Sequence, residues 1–400
     1  MAAMKALIKK ILPLPLMDAA RTGARHAGIW LSCPPQDAQI FFYPKGQVFF
    51  GYYDISPLNG DNSILLAMRA PAENTSPHER HPELEVGYFD LIQPNPEFRS
   101  FGKTTTWNWQ QGCRLQWFDE KSEAVIYNTA QGAVVQNIRN DKIIRTYERQ
   151  IYALDHQHRF AVSLDFARLH QFRRGYGYSN IASNNAGIVR IDLNSGEEKE
   201  ILTLDQISNF SPLSGMSGTS HYVNHLAFNP SGTRLMLFHI WTDGASRSLR
   251  LLTAAADGSS FYSPCPDIKP SHYSWMDDEQ LLITGTKQGK VIYATVHDKN
   301  RTHEVIESPH LNQDGHPSLL KGGTILSDTY PDIFGRQKIF LYHPESGKAE
   351  MLASFYSPHS FSGEMRCDLH PRLSPAQDKI CVDIVHNGRR AICLIPVRQS

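Results

Sequence analysis

Arg366-Cys367-Asp368-Leu369-His370-Pro371-Arg372 decides how this chain is read, because stretches built like it occur upstream. They are Asp314-Gly315-His316-Pro317-Ser318, His272-Tyr273-Ser274-Trp275 and His221-Tyr222-Val223-Asn224-His225. In each, a polar cluster leads through a short loop into an apolar alternating run. From His225 to His272 is 47 residues, then 44 to His316 and 54 to His370. That period is the size of one blade of a β-propeller. Equivalent positions of successive blades face one common axis, so histidines far apart in the chain are expected to meet there.

Working outward, hairpins of the same design begin at Tyr53, Leu115, Tyr152, Leu226, Tyr273, Pro317 and Pro371. Each pairs a strand end, a turn rich in Pro, Asn, Asp or Gly, and a second strand. Further alternating runs such as Glu85–Asp90, Gly187–Asp192, Lys338–Tyr342 and Ala391–Ile395 supply outer strands, giving four strands per unit. The expected fold is all-β: a seven-bladed β-propeller over residues 41–400, with a short N-terminal helical extension over 1–40. A pair of β-sandwiches is the competing fold, and it offers no reason for seven equivalent turns.

The extension carries Lys5, Lys9 and Lys10 beside Ile11-Leu12-Pro13-Leu14-Pro15-Leu16-Met17. Two prolines make this apolar segment too short and broken to span a membrane. A signal peptide is the alternative, although Arg21 and Arg25 crowd the cleavage region. Weak contact with a membrane surface is the most the segment offers.

Lys plus Arg equals Asp plus Glu at 40 each, so no overall field favours nucleic acid, and an acidic ligand has to be recognised locally. The six cysteines are scattered through a large chain, which fits a reduced, cytoplasmic setting better than a disulfide scaffold. Neither a glycine-rich phosphate loop nor a serine nucleophile elbow is present, so a nucleotide cofactor and acyl transfer are disfavoured.

Three stretches together resemble the propeller polysaccharide lyases, namely the oligogalacturonate and ulvan lyases. They are Asp314 to Ser318, Ser327-Asp328-Thr329-Tyr330-Pro331-Asp332 and Gly363 to Arg372. Trp107-Asn108-Trp109-Gln110-Gln111-Gly112 and Gly175-Tyr176-Gly177-Tyr178 look like the ulvan-lyase side of that group. The resemblance implies β-elimination on a uronate-containing glycan, with His or Tyr moving protons, Arg holding the carboxylate and a divalent metal (Mn, Zn or Ca) bound nearby. Carried onto this chain, the catalytic candidates are His225 as base, Tyr176 or Tyr178 as acid, and Arg190 or Arg174 as carboxylate partner. His221, Arg336, Arg366, Arg372, Gln111 and Trp109 are candidates for holding substrate. His272, His316, His370 and Gln313 are candidates for holding metal. Gln313-x-x-His316 matches part of the oligogalacturonate lyase metal motif, but Ser318 stands where that motif has its next histidine. The second-blade stretch Trp107 to Trp117 also lacks the histidine of the ulvan-type pair. Two other readings remain: a catalytically silent glycan-binding or polysaccharide-assembly factor, and a sugar transferase or epimerase on the same scaffold.

Overall fold

The computed structural model describes residues 32–119 and 122–397, and the described strands fall into seven antiparallel sheets. Blade 1 consists of Gly46–Phe49, Ile64–Pro71, Leu84–Asp90 and Phe98–Thr104. Blade 2 is Gln116–Trp117, Ala124–Thr129, Gly132–Asn137 and Ile143–Tyr147. Blade 3 is Ala153–Leu154, Phe160–Leu164, Ile188–Asp192 and Glu198–Leu202. Blade 4 is Ser220–Phe228, Arg234–Thr242 and Arg247–Ala255. Blade 5 is Lys269–Trp275, Gln280–Lys287, Lys290–His297 and His303–Val305. Blade 6 is Ser318–Leu319, Ile325–Asp328, Arg336–His343 and Lys348–Tyr356. Blade 7 takes Arg372–Leu373, Lys379–His386 and Arg389–Pro396 from the C-terminal end and Gln39–Phe41 from the N-terminal end. The protein is a seven-bladed propeller, as its spacing requires.

Gln39–Phe41 pairs with Arg389–Pro396, with Ile40 opposite Cys393. The early strand thus completes the last blade, closing the ring and covering an edge that would otherwise be open to pairing. The boundary drawn at residue 40 crosses this strand, so Gln39 and Ile40 belong to the propeller. The helical extension expected for the N-terminus lies, over residues 1–31, outside the described residues. Apolar packing also crosses the seam, since Val48 and Leu66 of blade 1, Val125 of blade 2 and Ile392 and Leu394 of blade 7 share one buried cluster.

The repeated hairpin turns have a common chemical cause. At the end of six of the seven inner strands an Asn, Asp or Ser folds its side chain onto the backbone N–H groups across the turn. Asn59 accepts from Ile64, Asp119 from Ala124, Asp155 from Phe160 and Asn229 from Arg234. Asp277 accepts from Gln280, and the Ser374 hydroxyl accepts from Lys379. Blade 6 lacks such a residue and turns instead through Gly322 and Gly323, whose φ angles are 86° and 81°. Asn229 is fully buried and also accepts from Thr233 N–H. Asn229→Ala leaves these backbone donors unpartnered and is expected to lower stability by about 2 kcal/mol, read as a reduced urea midpoint at unchanged m.

Blade 4 departs from the expected four strands. Its fourth strand is reduced to one bridge, Thr253 opposite Tyr262, because Pro264 and Pro266 follow at once and lack the N–H that a ladder needs.

A second repeated device aims side chains at the axis. Trp117, Phe228, Trp275, Leu319 and Leu373 make the final pairs of five inner hairpins. Three residues before them stand Arg114, His225, His272, His316 and His370. Arg114, His225 and His370 adopt left-handed backbone with φ of 55°, 57° and 47°, and the blade 4 ladder slips between Asn224 and Ala227 around His225. A non-glycine residue in that region carries on the order of 1 kcal/mol or more of strain, which the surrounding blades must hold. The break in the ladder frees these side chains from the blade-to-blade faces and lets them converge.

Candidate active site

His272, His316 and His370 meet on the axis, with ring centroids 4.1 Å apart for His272–His316 and 4.5 Å for His316–His370. His225 joins through Tyr52, whose ring stacks on His225 at 5.0 Å and meets His370 edge-on at 4.9 Å. The convergence expected from the repeat therefore holds for all four histidines.

Hydrogen bonding fixes how three of these rings present themselves. His316 Nδ1 donates to Asp328 at 2.9 Å, His370 Nδ1 donates to the Gly51 carbonyl at 2.8 Å, and His272 Nδ1 donates to Asp314 at 3.2 Å. Each ring, when neutral, is then left with its lone pair on Nε2, although against burial the Asp328 carboxylate raises the His316 pKa above its ordinary value. On His316 and His370 that atom is buried and makes no hydrogen bond, although His370 Nε2 lies 3.8 Å from the Asp368 carboxylate. His272 Nε2 is instead approached by the Tyr330 hydroxyl at 3.4 Å. One ligand atom from each of His316, His370 and Asp368 lies within 4.8 Å of the others, and all three residues are buried. Two orphaned imidazole nitrogens beside a carboxylate are a donor set that fits a divalent ion.

Beside this cluster sits Tyr176, carried by the long loop that follows strand Phe160–Leu164. Its hydroxyl accepts from Arg366 Nη2 at 2.7 Å, and the Arg173 guanidinium lies 3.9 Å over its ring. Burial alone would raise the Tyr176 pKa, but Arg173 and Arg366 outweigh it and hold the phenol below its ordinary value. Tyr52, Tyr53, Tyr273 and Tyr330 are all pushed well above theirs, chiefly by burial. His225 is 1% exposed and lies beneath Tyr176, their rings edge-on at 5.7 Å. Asn224 Nδ2 donates to its Nε2 at 3.0 Å, and the Tyr152 hydroxyl lies 3.4 Å from its Nδ1. Burial first, then Arg173, keep His225 neutral well below its usual range.

Several residues expected at the site are placed elsewhere. Arg190 bonds the Ala256 carbonyl and stacks on Phe160, on the third strand of blade 3 and away from the axis. Arg174 is exposed, next in the chain to the half-buried Arg173. The arginines beside Tyr176 are therefore Arg173, which no carboxylate pairs among the described residues, and Arg366, whose Nε binds Asp368 at 2.6 Å. Tyr178 lies one layer back, its hydroxyl accepting from Asn128. Gln313 is exposed, and Asp368 occupies the place proposed for it. Arg336 pairs with Asp332 within its own loop. Arg372 is buried against Asp383 and the Gly51 carbonyl. Trp109 is buried, donating to the Thr75 carbonyl beneath the Arg390 guanidinium, which leaves no face for a sugar. Gln111 touches the site indirectly, through Tyr152 at 2.8 Å.

His221 proves to be part of a strut. Arg250 Nε donates to His239 Nδ1, so His239 Nε2 carries the proton and donates to His221 Nδ1 at 2.9 Å. Burial, then Arg250 and His221, hold the His239 pKa down at about 3. In the unfolded chain it titrates near about 6.5, so as pH falls below that value the unfolded state gains a proton that the folded state refuses. Stability from this group is fully present above the unfolded pKa and is lost as pH drops. Between about pH 7 and pH 5 the wild type is expected to lose about 2 kcal/mol more than His239→Gln, measured from urea midpoints at both pH values.

Broader surface clefts lie elsewhere, one at the outer edge of blade 1 among Tyr88, Asp90, Glu97 and Arg99. A second lies among Tyr43, Lys45, Arg69, Glu83, Glu85 and Lys103, and neither contains a histidine.

The fold and site together define a propeller with an axial histidine–carboxylate centre flanked by an arginine-clamped tyrosine. Neither a family model nor a curated protein matches the chain. Solved structures do match. An oligogalacturonate lyase in complex with manganese superimposes with a TM-score of 0.67 at 13% identity, covering 92% of this chain and 96% of that one. The oligogalacturonate lyase of Vibrio parahaemolyticus gives 0.63 at 13% identity, again covering 92% and 96%. The tricorn protease gives 0.53 at 11% identity, covering 91% of this chain and 34% of that one. At such identities the likeness is one of fold.

Proposed function

We propose that the axial site binds a uronate-containing oligosaccharide and cleaves it by β-elimination. The observation that carries this reading is the geometry around Tyr176, a buried phenol that accepts from Arg366 at 2.7 Å, has the Arg173 guanidinium 3.9 Å over its ring and meets the buried His225 edge-on at 5.7 Å. Arg173 and Arg366 would bind the uronate carboxylate, since guanidinium forks match it in charge and geometry. With the carboxylate neutralised, the adjacent C–H becomes acidic enough for His225 to take its proton. The electron pair forms the new double bond as the glycosidic C–O bond breaks, and Tyr176 donates its proton to the leaving oxygen. A lowered phenol pKa suits that donor, because transfer is most efficient near the working pH. A divalent ion held by His316, His370 and Asp368 would supply Lewis-acid neutralisation of the same carboxylate.

The oligogalacturonate lyase neighbours make an acidic oligosaccharide the natural substrate class to test. Incubation with a panel of uronate oligomers is expected to produce the absorbance of an unsaturated product. Prolonged chelation is expected to abolish that product and to lower Tm by several degrees, with both restored by added divalent ion. The closure of Tyr52, Tyr152 and Tyr176 over His225 favours a second reading, a glycan-binding protein without turnover. Tight binding of the same oligomers with no product, unaffected by chelator, would decide for it. Five buried free thiols suit a reducing, cytoplasmic setting for either role.

A further inference from the structure

The loop that carries Tyr176 leans on a loop of blade 1 through a pair of histidines. The blade 1 loop, between Ile64–Pro71 and Leu84–Asp90, is pinned at two points by the connection into blade 2: Trp109 donates to the Thr75 carbonyl and Trp107 to the Pro82 carbonyl, each at 2.8 Å. Between these pins the short helix Pro77–Arg80 carries His78. His170 stands in the last turn of the helix Phe166–Phe172, three residues before Arg173 and six before Tyr176. The two half-buried rings lie with centroids 4.1 Å apart, tilted by 50°. Ser179 Oγ, 3.3 Å from His78 Nδ1, makes the one hydrogen bond between the two loops among the described residues. His78 Nε2 and His170 Nδ1 are buried and make none.

Such a contact holds only while both rings are neutral, because two imidazolium charges at this distance repel each other where water screens them poorly. Burial is the largest influence on both rings and favours the neutral form, bringing His78 down to about 3 and His170 below its ordinary value. His81 of the blade 1 loop and Arg174 of the blade 3 loop oppose a charge on either ring, and each ring opposes one on the other across the contact. Glu364, from the loop entering blade 7, favours a charge on His170 without overcoming these. Once the loops part, both rings meet water and titrate near about 6.5. The closed arrangement is therefore fully favoured above that value and is weakened as pH falls, since the open form takes up protons that the closed form refuses.

We propose that His78 and His170 form an acid-operated latch: when the pair takes up protons the blade 1 and blade 3 loops separate, and Arg173 and Tyr176 are drawn away from the axial site. That opening stops catalysis rests on the reaction assigned above; the opening itself does not. A histidine that stays neutral when closed and titrates at about 6.5 when open shifts the balance toward opening by about tenfold between pH 7.5 and pH 5.5. The pair together shifts it by up to about a hundredfold.

Hydrogen exchange of the full-length protein tests this without substrate, read by mass spectrometry at pH 7.5 and pH 5.5 with labelling times scaled to equal intrinsic rates. Peptides covering 72–83 and 165–187 are expected to exchange between about tenfold and a hundredfold faster at pH 5.5, because exchange through a local opening follows its population. Peptides of the strands Gln280–Lys287 and Lys290–His297 are expected to keep their rates. His78→Gln and His170→Gln should each lose about tenfold of the response, and the double variant nearly all of it. Should a glutamine variant not fold, His78→Phe or His170→Leu is measured in its place, with the same loss expected. Wild-type loops that exchange equally at both pH values would overturn the proposal, as would a folded double variant that opens like the wild type. Opening in protein that cleaves no uronate oligomer would leave the latch standing and remove the reaction alone.

Discussion

Tyr176→Phe is expected to lower kcat on a uronate oligomer by about 10²–10⁴-fold while leaving KM nearly unchanged. The substitution removes one oxygen and keeps the ring that packs against Tyr52 and His225. Arg366 loses its 2.7 Å contact to the phenol but keeps Asp368, so the carboxylate-binding charge stays in place. A proton donor needed only at bond breaking should therefore show in kcat alone. His225→Ala is expected to do the same through the other half of the transfer. The double variant should fall little further than either single one, because donor and acceptor act in one step. If both single variants form unsaturated product at the wild-type rate, the assignment fails.

The largest effect on stability is expected at the seam between blades 7 and 1. Asp383 is 2% exposed and accepts from Phe50 N–H, Gly51 N–H and Arg372 Nη2, the last at 2.8 Å. Arg372 Nη1 and His370 Nδ1 both donate to the Gly51 carbonyl. Gly51 has φ of +122°, and an added Cβ would meet the Gln111 backbone at 2.9 Å, so the backbone passes here only as glycine. Asp383→Ala leaves a buried guanidinium and two buried N–H groups uncompensated. A loss of about 3–5 kcal/mol in urea unfolding is expected, larger than for Asn229→Ala because a charge is stranded. Asp383→Asn keeps one acceptor oxygen and should recover part of that loss. A variant as stable as the wild type would show that the seam is held by strand pairing and apolar packing instead.

The same seam shows what local sequence can and cannot convey. Turn chemistry is local: Asn229, Asp155 and Asp277 each bond backbone a few residues away, so the hairpins and their period are legible in the chain. From that period alone the meeting of His225, His272, His316 and His370 follows, since rotation about one axis carries equivalent positions to one place. The blade 4 bridge at Tyr262 was also within reach, through Pro264 and Pro266.

Choices between near neighbours were not legible. Arg173 and Arg174 are adjacent, yet one lies over Tyr176 and the other faces solvent, because the chain leaves the helix Phe166–Phe172 at that point. Gln313 carries the motif while Asp368, 55 residues on, carries the carboxylate, and only the packing of blade 6 against blade 7 decides that. His221, a candidate for holding substrate, is instead bound by His239, which Arg250 holds in turn, from the next two strands of its own blade. The sequence by itself determined the seven-fold repeat and which histidines share the axis, because both are consequences of period and turn residues. The tertiary structure decided which nitrogen each ring presents, which arginines reach Tyr176 and which carboxylate completes the cluster. Those depend on atoms brought together from blades hundreds of residues apart, such as Gly51 against His370.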